Sequence, residues 1–190
     1  LCEKPLALTI ARGRRMVEAA AATGRVLATA ENNRHDPMLR LAQAVVASGL
    51  LGRPNFVLHT LINPGQRVIG TAWRHRRAMG GVLFDVGIHN TYEMEMVLGP
   101  LVAVCGQSQQ ITRSFRGQEF DGREVEVTVD AEDCFAALLR FASGCQGQYT
   151  VHFASAGDSF GKRLLLGEGG TMEGPFPRSG GSPVVRLGAE

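Results

Sequence analysis

"DAEDCFAALLRFASGCQGQYTVHFAS", Asp130 to Ser155, decides the fold class. Two runs of alternating side chains meet at Ser143-Gly144, a pair suited to a hairpin turn. In the second run Cys145, Gly147, Tyr149, Val151 and Phe153 fall on one face, and Gln146, Gln148, Thr150 and His152 on the other. Side chains alternate along a strand, so the pattern predicts an antiparallel pair with one face on a core and one polar face. Flanking stretches extend that sheet. "PNFVLHTLIN" (54–63), "PLVAVCGQSQQI" (100–111) and "KRLLLGEGGTMEG" (162–174) read as further strands, the first broken by Pro64 and Gly65. Arg113 to Glu124 is polar and glycine-containing, and reads as an excursion from the sheet.

Before Arg53 the pattern differs. "LALTIARGRRMVEAAAATG" (6–24) predicts a helix of about four turns, with Thr9 as N-cap and Gly24 as stop. "RVLATAEN" (25–32) follows as a short buried strand, then a polar loop, "NNRHDP", and a second helix starting at Pro37. Strand, helix, strand, helix is the order of a parallel α/β unit. The chain opens on what reads as the end of a buried strand, and "SGGSPVVRLGAE" supplies no closing element, so a piece of a longer protein is expected.

The 190 residues are 44% hydrophobic and 20% charged, with a net charge of +2. That is the profile of a soluble globular protein with no electrostatic footprint for nucleic acid. No apolar run approaches the ~18 residues of a membrane span. Cys2, Cys105, Cys134 and Cys145 form no CxxC and no cluster with histidine. They read as small apolar residues in a reducing cytoplasm, although a disulfide stays open. His35, His59, His75 and His152 lack metal-ligand spacing, and no metal is expected. There is no Walker loop, no G-x-S-x-G and no GxGxxG.

Chemistry concentrates in "GGVLFDVGIHNTYEMEMVLG", Gly80 to Gly99. Asp85 and His89 are four residues apart, so on a helix their side chains stack on one face. They read as an acid–imidazole pair for proton transfer or as an exposed polar stripe continued by Glu93. Gly80-Gly81 suits either close backbone approach to a ligand or an ordinary helix start. Lys4-Pro5 suits a cis bond that presents Lys4 at the carboxyl end of a strand, where α/β sheets bind ligands. "WRHRR" (73–77) reads as a solvated basic loop or as arginines for an anionic group, mildly favouring an acidic substrate.

The order of these pieces resembles the Gfo/Idh/MocA oxidoreductases: "CEKPLALT", helix, "AEN", helix ending "GLLG", strand, "WR", "GG", "DVGIH", "VLG". The resemblance runs from Leu1 to about Gly174, with Met79 where many members carry a third glycine. It implies an α/β protein: residues 1–35 as the last βαβ piece of a Rossmann domain, and residues 36–190 as a substrate-binding and oligomerisation domain. That second domain is α+β, a large, mostly antiparallel open sheet with helices on one face. Implied catalytic residues are Lys4, Asp85 and His89, with Asp85 orienting the imidazole. Glu3, Lys4 and Asn32 would lie at the cofactor; Arg34, Trp73 and Arg74 would border the substrate with Asp85 and His89. The implied activity is hydride transfer between NAD or NADP and a hydroxyl carbon of a sugar, cyclitol or related polyol. The pyrophosphate-binding half is not in this chain, which is expected to be inactive alone and to form a homodimer or homotetramer through the open sheet. The alternatives are a non-catalytic sensing or assembly domain of the same fold, and a redox-neutral NAD-dependent glycosidase.

Overall fold

The computed structural model describes residues 1–64, 70–119, 121–174 and 182–188. Its main feature is a seven-stranded sheet made of β3 (Pro54–Ile62), β4 (Leu101–Gln109), β7 (Cys134–Phe141), β8 (Gln146–His152), β9 (Phe160–Gly167), β10 (Gly170–Gly174) and β11 (Val184–Leu187). The spatial order is β11-β10-β9-β3-β8-β7-β4, and only the β3–β8 pairing is parallel. The hairpin forms as the alternation predicts. β7 and β8 pair from Cys134–His152 to Arg140–Gln146, and Gly144 takes φ 87° in the turn. Cys145, Gly147, Tyr149, Val151 and Phe153 are buried, whereas Gln146 and Gln148 are exposed.

Two helices cover the inner face. α2 (Pro37–Ala47) starts where the Asp36 side chain accepts a hydrogen bond from the Met38 amide, with Pro37 in the first turn. α3 (Gly81–Leu98) brings Val82, Met94 and Leu98 onto Val57, Leu139, Phe141, Tyr149, Val151 and Leu165. Ala42, Val45 and Val46 of α2 close the same core. The opposite face carries no helix among the described residues and leaves Leu138 63% exposed.

The first residues form a small parallel unit. β1 (Cys2–Glu3) pairs with β2 (Thr29–Ala30), joined by α1 (Ile10–Thr23) with its Thr9 cap and Gly24 in the left-handed conformation. The predicted buried strand over 25–32 shrinks to Thr29–Ala30, and Val26 is 92% exposed. A strand whose ladder partner is two residues long cannot bury both faces, so β-branched composition alone did not suffice. Two other expectations change. The polar excursion is itself a hairpin, β5 (Ser114–Gln118) with β6 (Glu124–Thr128). "SGGSPVVRLGAE" contributes the edge strand β11, paired with β10. Gly65 lies outside the described residues; Pro64 ends β3 in a bridge to Ala154.

Adjacent strand positions test the register. Phe141→Ala should cost about 3–5 kcal/mol in urea unfolding, because the ring is 1% exposed. In dilute solution Leu138→Ala, three residues back on the other face, should change stability by no more than about 0.5 kcal/mol.

Candidate active site

The entrance to α3 explains its two glycines. Gly80 and Gly81 have φ of 97° and 72°, and a Cβ on Gly81 would sit 2.9 Å from Ala131 Cβ. Side chains are strained in that region of backbone space, so the helix start accounts for both glycines.

From there α3 presents a polar row at i, i+4 and i+8: Asp85, His89 and Glu93. It is no solvated stripe, since Asp85 is 6% and Glu93 2% exposed. Each member meets a different segment of chain. Lys4 Nζ donates to the Asp85 main-chain carbonyl (2.6 Å) and to Asp85 Oδ1 (2.8 Å). Arg74 Nε donates to Asp85 Oδ2 (2.7 Å), and Arg74 Nη1 donates to Thr71 Oγ1. His89 Nδ1 lies 2.6 Å from Glu31 Oε1, which also accepts from the Asn33 amide (3.0 Å). Glu93 accepts from Asn33 Nδ2 (2.8 Å) and from Arg163 of β9.

This corrects one expectation: Asp85 does not orient the imidazole. Lys4 and Arg74 take both its oxygens, and Glu31 holds the ring instead. Helical stacking brought Asp85 and His89 to one face, but partners from other segments decided the bonds. Burial would raise the Asp85 carboxyl, yet the hydrogen bonds from Arg74 and Lys4 prevail and hold it below the usual carboxylate range. Burial dominates at Glu93 and pushes its carboxyl up despite Arg163, Asn90 and Asn33.

Lys4, Asp85, Arg74 and His89 are therefore brought together, with Trp73 beside them: the Arg74 guanidinium lies 4.4 Å from the Trp73 ring centroid. Glu3, Asn32 and Arg34 have exposed side chains, and among the described residues these make no hydrogen bond or ion pair with Lys4, Arg74, Asp85 or His89. Glu3 stands at the carboxyl end of β1, and Asn32 two residues beyond β2. Each arginine of "WRHRR" has a carboxylate partner. Arg74 serves Asp85, Arg76 pairs with Glu119, and Arg77 pairs with Glu132 while its amide donates to Asp130 Oδ1.

Glu31, Asn33 and Thr71 escaped the sequence reading. Glu31 left a signal: the one charged residue in the stretch "VLATAEN". The remaining histidines are packed or peripheral. His75 stacks on Phe115 at 3.7 Å, and the His59 ring meets Tyr149 edge-on. Among the described residues no three His, Cys, Asp or Glu side chains form a metal site. No described helix is long and apolar enough to cross a membrane.

Two donor–acceptor positions stay open at the centre. An ammonium carries three N–H groups, and two of those on Lys4 go to Asp85, which leaves one. The second ring nitrogen of His89, Nε2, has no protein partner among the described residues. A donor bonded to one helical turn and a proton acceptor on the next can bind a hydroxyl and remove its proton.

A family model for the GFO/IDH/MocA C-terminal domain matches residues 39–173. The chain is 34% identical over 167 residues to a 1,5-anhydro-D-fructose reductase of Ensifer adhaerens, covering 83% of this chain and 45% of that protein. It is 26% identical over 147 residues to the myo-inositol 2-dehydrogenase of Thermotoga maritima, covering 77% and 40%. The structure of an NAD binding oxidoreductase from Klebsiella pneumoniae superposes with a TM-score of 0.81 at 26% identity, over 98% of this chain and 50% of that one. The chain thus spans less than half the length of these two curated relatives.

The Asp85 cluster predicts an acid-sensitive contribution to stability. A carboxyl held lower in the folded state stabilises the fold above its unfolded value, near 3.9, and that gain disappears as pH falls through the folded value. Asp85→Asn should therefore lose about 2–3 kcal/mol at neutral pH, since Lys4 and Arg74 keep some access to water. The gap to wild type should narrow as urea unfolding is repeated toward about pH 3.

Proposed function

The chain belongs to the Gfo/Idh/MocA family, and we propose that it is the substrate-binding part of an NAD(P)-dependent oxidoreductase acting on a sugar, cyclitol or related polyol. One observation carries this reading: Lys4, from the far end of the sequence, is bonded to Asp85 one helical turn from His89. An assembly or sensing domain has no need for a spare ammonium hydrogen beside an open imidazole nitrogen. The division of labour follows the resemblance, with residues 1–35 closing a dinucleotide-binding domain and residues 36–190 forming the substrate domain.

Fit to a nicotinamide is supported by placement. Glu3 and Lys4 stand at the carboxyl end of β1, and Asn32 just past the parallel strand β2, where α/β sheets receive ligands. These three residues would hold the nicotinamide end of NAD or NADP. When bound, that group supplies the acceptor, or in reverse the donor, of a hydride. The residues of this chain do the rest. His89 Nε2 takes the proton of the substrate hydroxyl while the hydrogen on the same carbon departs with its electron pair, leaving a carbonyl. The third Lys4 N–H supports the oxygen as its charge grows. Asp85, kept ionised by Lys4 and Arg74, fixes the ammonium's direction, and Trp73 and Arg74 wall the substrate side. With its arginines already paired, the loop suits a neutral polyol better than an anionic one.

The four cysteines are all free, which fits a cytoplasmic setting. The uncovered sheet face carries Leu138 opposite Cys105, with Phe160 on a more distant strand, and supports a homodimer or homotetramer. Sedimentation should then show an oligomer that Leu138→Asp disperses.

Turnover is read from reduced-nicotinamide absorbance with a panel of sugars and cyclitols in the protein that carries this chain. His89→Ala should lower kcat by about 10²–10⁴-fold. Lys4→Met should lower it comparably, and undiminished turnover in both variants would remove the cluster from the chemistry.

A further inference from the structure

We propose that Glu31 is the positioning residue for His89, fixing the neutral imidazole as its Nδ1–H tautomer so that Nε2 is the bare, proton-accepting nitrogen. This deepens the oxidoreductase reading and rests on it for its catalytic consequence, but the tautomer itself is a property of the chain alone.

The argument starts from hydrogen-bond chemistry. An ionised carboxylate only accepts, so a 2.6 Å contact from Glu31 Oε1 places the proton on Nδ1 of His89. A neutral imidazole carries one N–H, and Nε2 is then a lone pair. No other described group competes for that role. Asp85, four residues back on the same helix, has both oxygens bonded to Lys4 and Arg74.

Glu31 is also held so that it cannot drift. Its Oε1 accepts from the Asn33 amide, and its side chain is 3% exposed. Asn33 is tied by its own amide group to Glu93, which Arg163 of β9 holds from the sheet. The short 3-10 turn Asn32–His35 is thus clamped to α3 at two points, one turn of helix apart. Its other oxygen, Oε2, is buried with no hydrogen-bond partner among the described residues. Leaving a carboxylate oxygen so costs stability, and a fold keeps such a group where the charge has a task. When the substrate proton arrives on Nε2, the ring becomes a cation lying against that carboxylate. Hydride departure leaves the substrate neutral, so the new positive charge lies on His89, against Glu31 and within the field of Glu93.

The test reads the tautomer directly. In 15N-labelled chain above neutral pH, with His89 assigned from a His89→Gln spectrum, Nδ1 should show a protonated-nitrogen shift and Nε2 a bare-nitrogen shift. Glu31→Ala should move the ring toward the Nε2–H tautomer. Glu31→Gln should keep the wild-type tautomer, because the Asn33 amide holds the carboxamide oxygen where Oε1 was. In the protein that carries this chain, Glu31→Ala should lower kcat by about 10²-fold with KM changed little, and Glu31→Gln should recover most of it. An Nε2–H ring in wild type, or no change in Glu31→Ala, overturns the assignment. If Glu31→Ala does not fold, Glu31→Met removes the acceptor at equal length and is read in the same way, and the wild-type spectrum decides by itself. The expected tautomers without any nicotinamide-linked turnover would uphold the Glu31 assignment and overturn the oxidoreductase reading.

Discussion

Burying a row of ionisable side chains on one helix obliges the rest of the chain to come to it. Asp85, His89 and Glu93 lie at four-residue intervals along α3, and two of the three are almost inaccessible to water. An unpaired buried charge costs several kcal/mol, so none of these groups can be left alone. Their partners come from the end of β1, the turn after β2, the loop before α3, and β9. α3 therefore works as a rack on which four separated segments are hung at fixed spacing. The spacing of the site is the 3.6-residue period of that helix, read out by its partners.

The second constraint is charge balance around the loop 71–79. Its short 3-10 turns bury Ala72 and His75 against Phe115, on the hairpin that looked like a detour in the sequence. Glu119, Asp130 and Glu132 on or beside that hairpin then absorb Arg76 and Arg77. A basic loop in isolation becomes a neutralised wall once the acidic segment 43 to 55 residues later folds over it. The hairpin has no side chain in the Asp85–His89 cluster among the described residues, yet it packs on the loop that carries Trp73 and Arg74.

What was legible follows from the range of each signal. Alternation across Asp130–Ser155, the Thr9 and Gly24 caps and the Pro37 helix start are local, and they yielded elements that the structure has. Lys4 and Asp85, 81 residues apart, were grouped in one site through resemblance, but the bond between them was not foreseen, since no spacing rule connects residues so far apart. The pairing of His89 with Glu31, over 58 residues, was missed for the same reason. The helical rule offered Asp85 as the imidazole's partner because it stands four residues away on the same helix face. Competition for hydrogen bonds in three dimensions settled it otherwise. Strand 25–32 was over-read because composition reports an apolar segment and is silent on how many neighbours it will have.

In the proposed reaction Glu31 and Asp85 would divide two duties that one carboxylate could not perform together. A group that keeps an ammonium directed at an oxygen has to stay ionised at all times, and two cations on Asp85 secure that. A group that receives an imidazolium during the reaction must face a charge that comes and goes. Were Asp85 to do both, protonating His89 would add a third cation to its field and weaken its hold on Lys4 at the moment the oxygen most needs it. With a separate carboxylate for the imidazole, each change of charge is met where it occurs. The cost is one buried oxygen without a partner, placed where the turn is clamped most firmly.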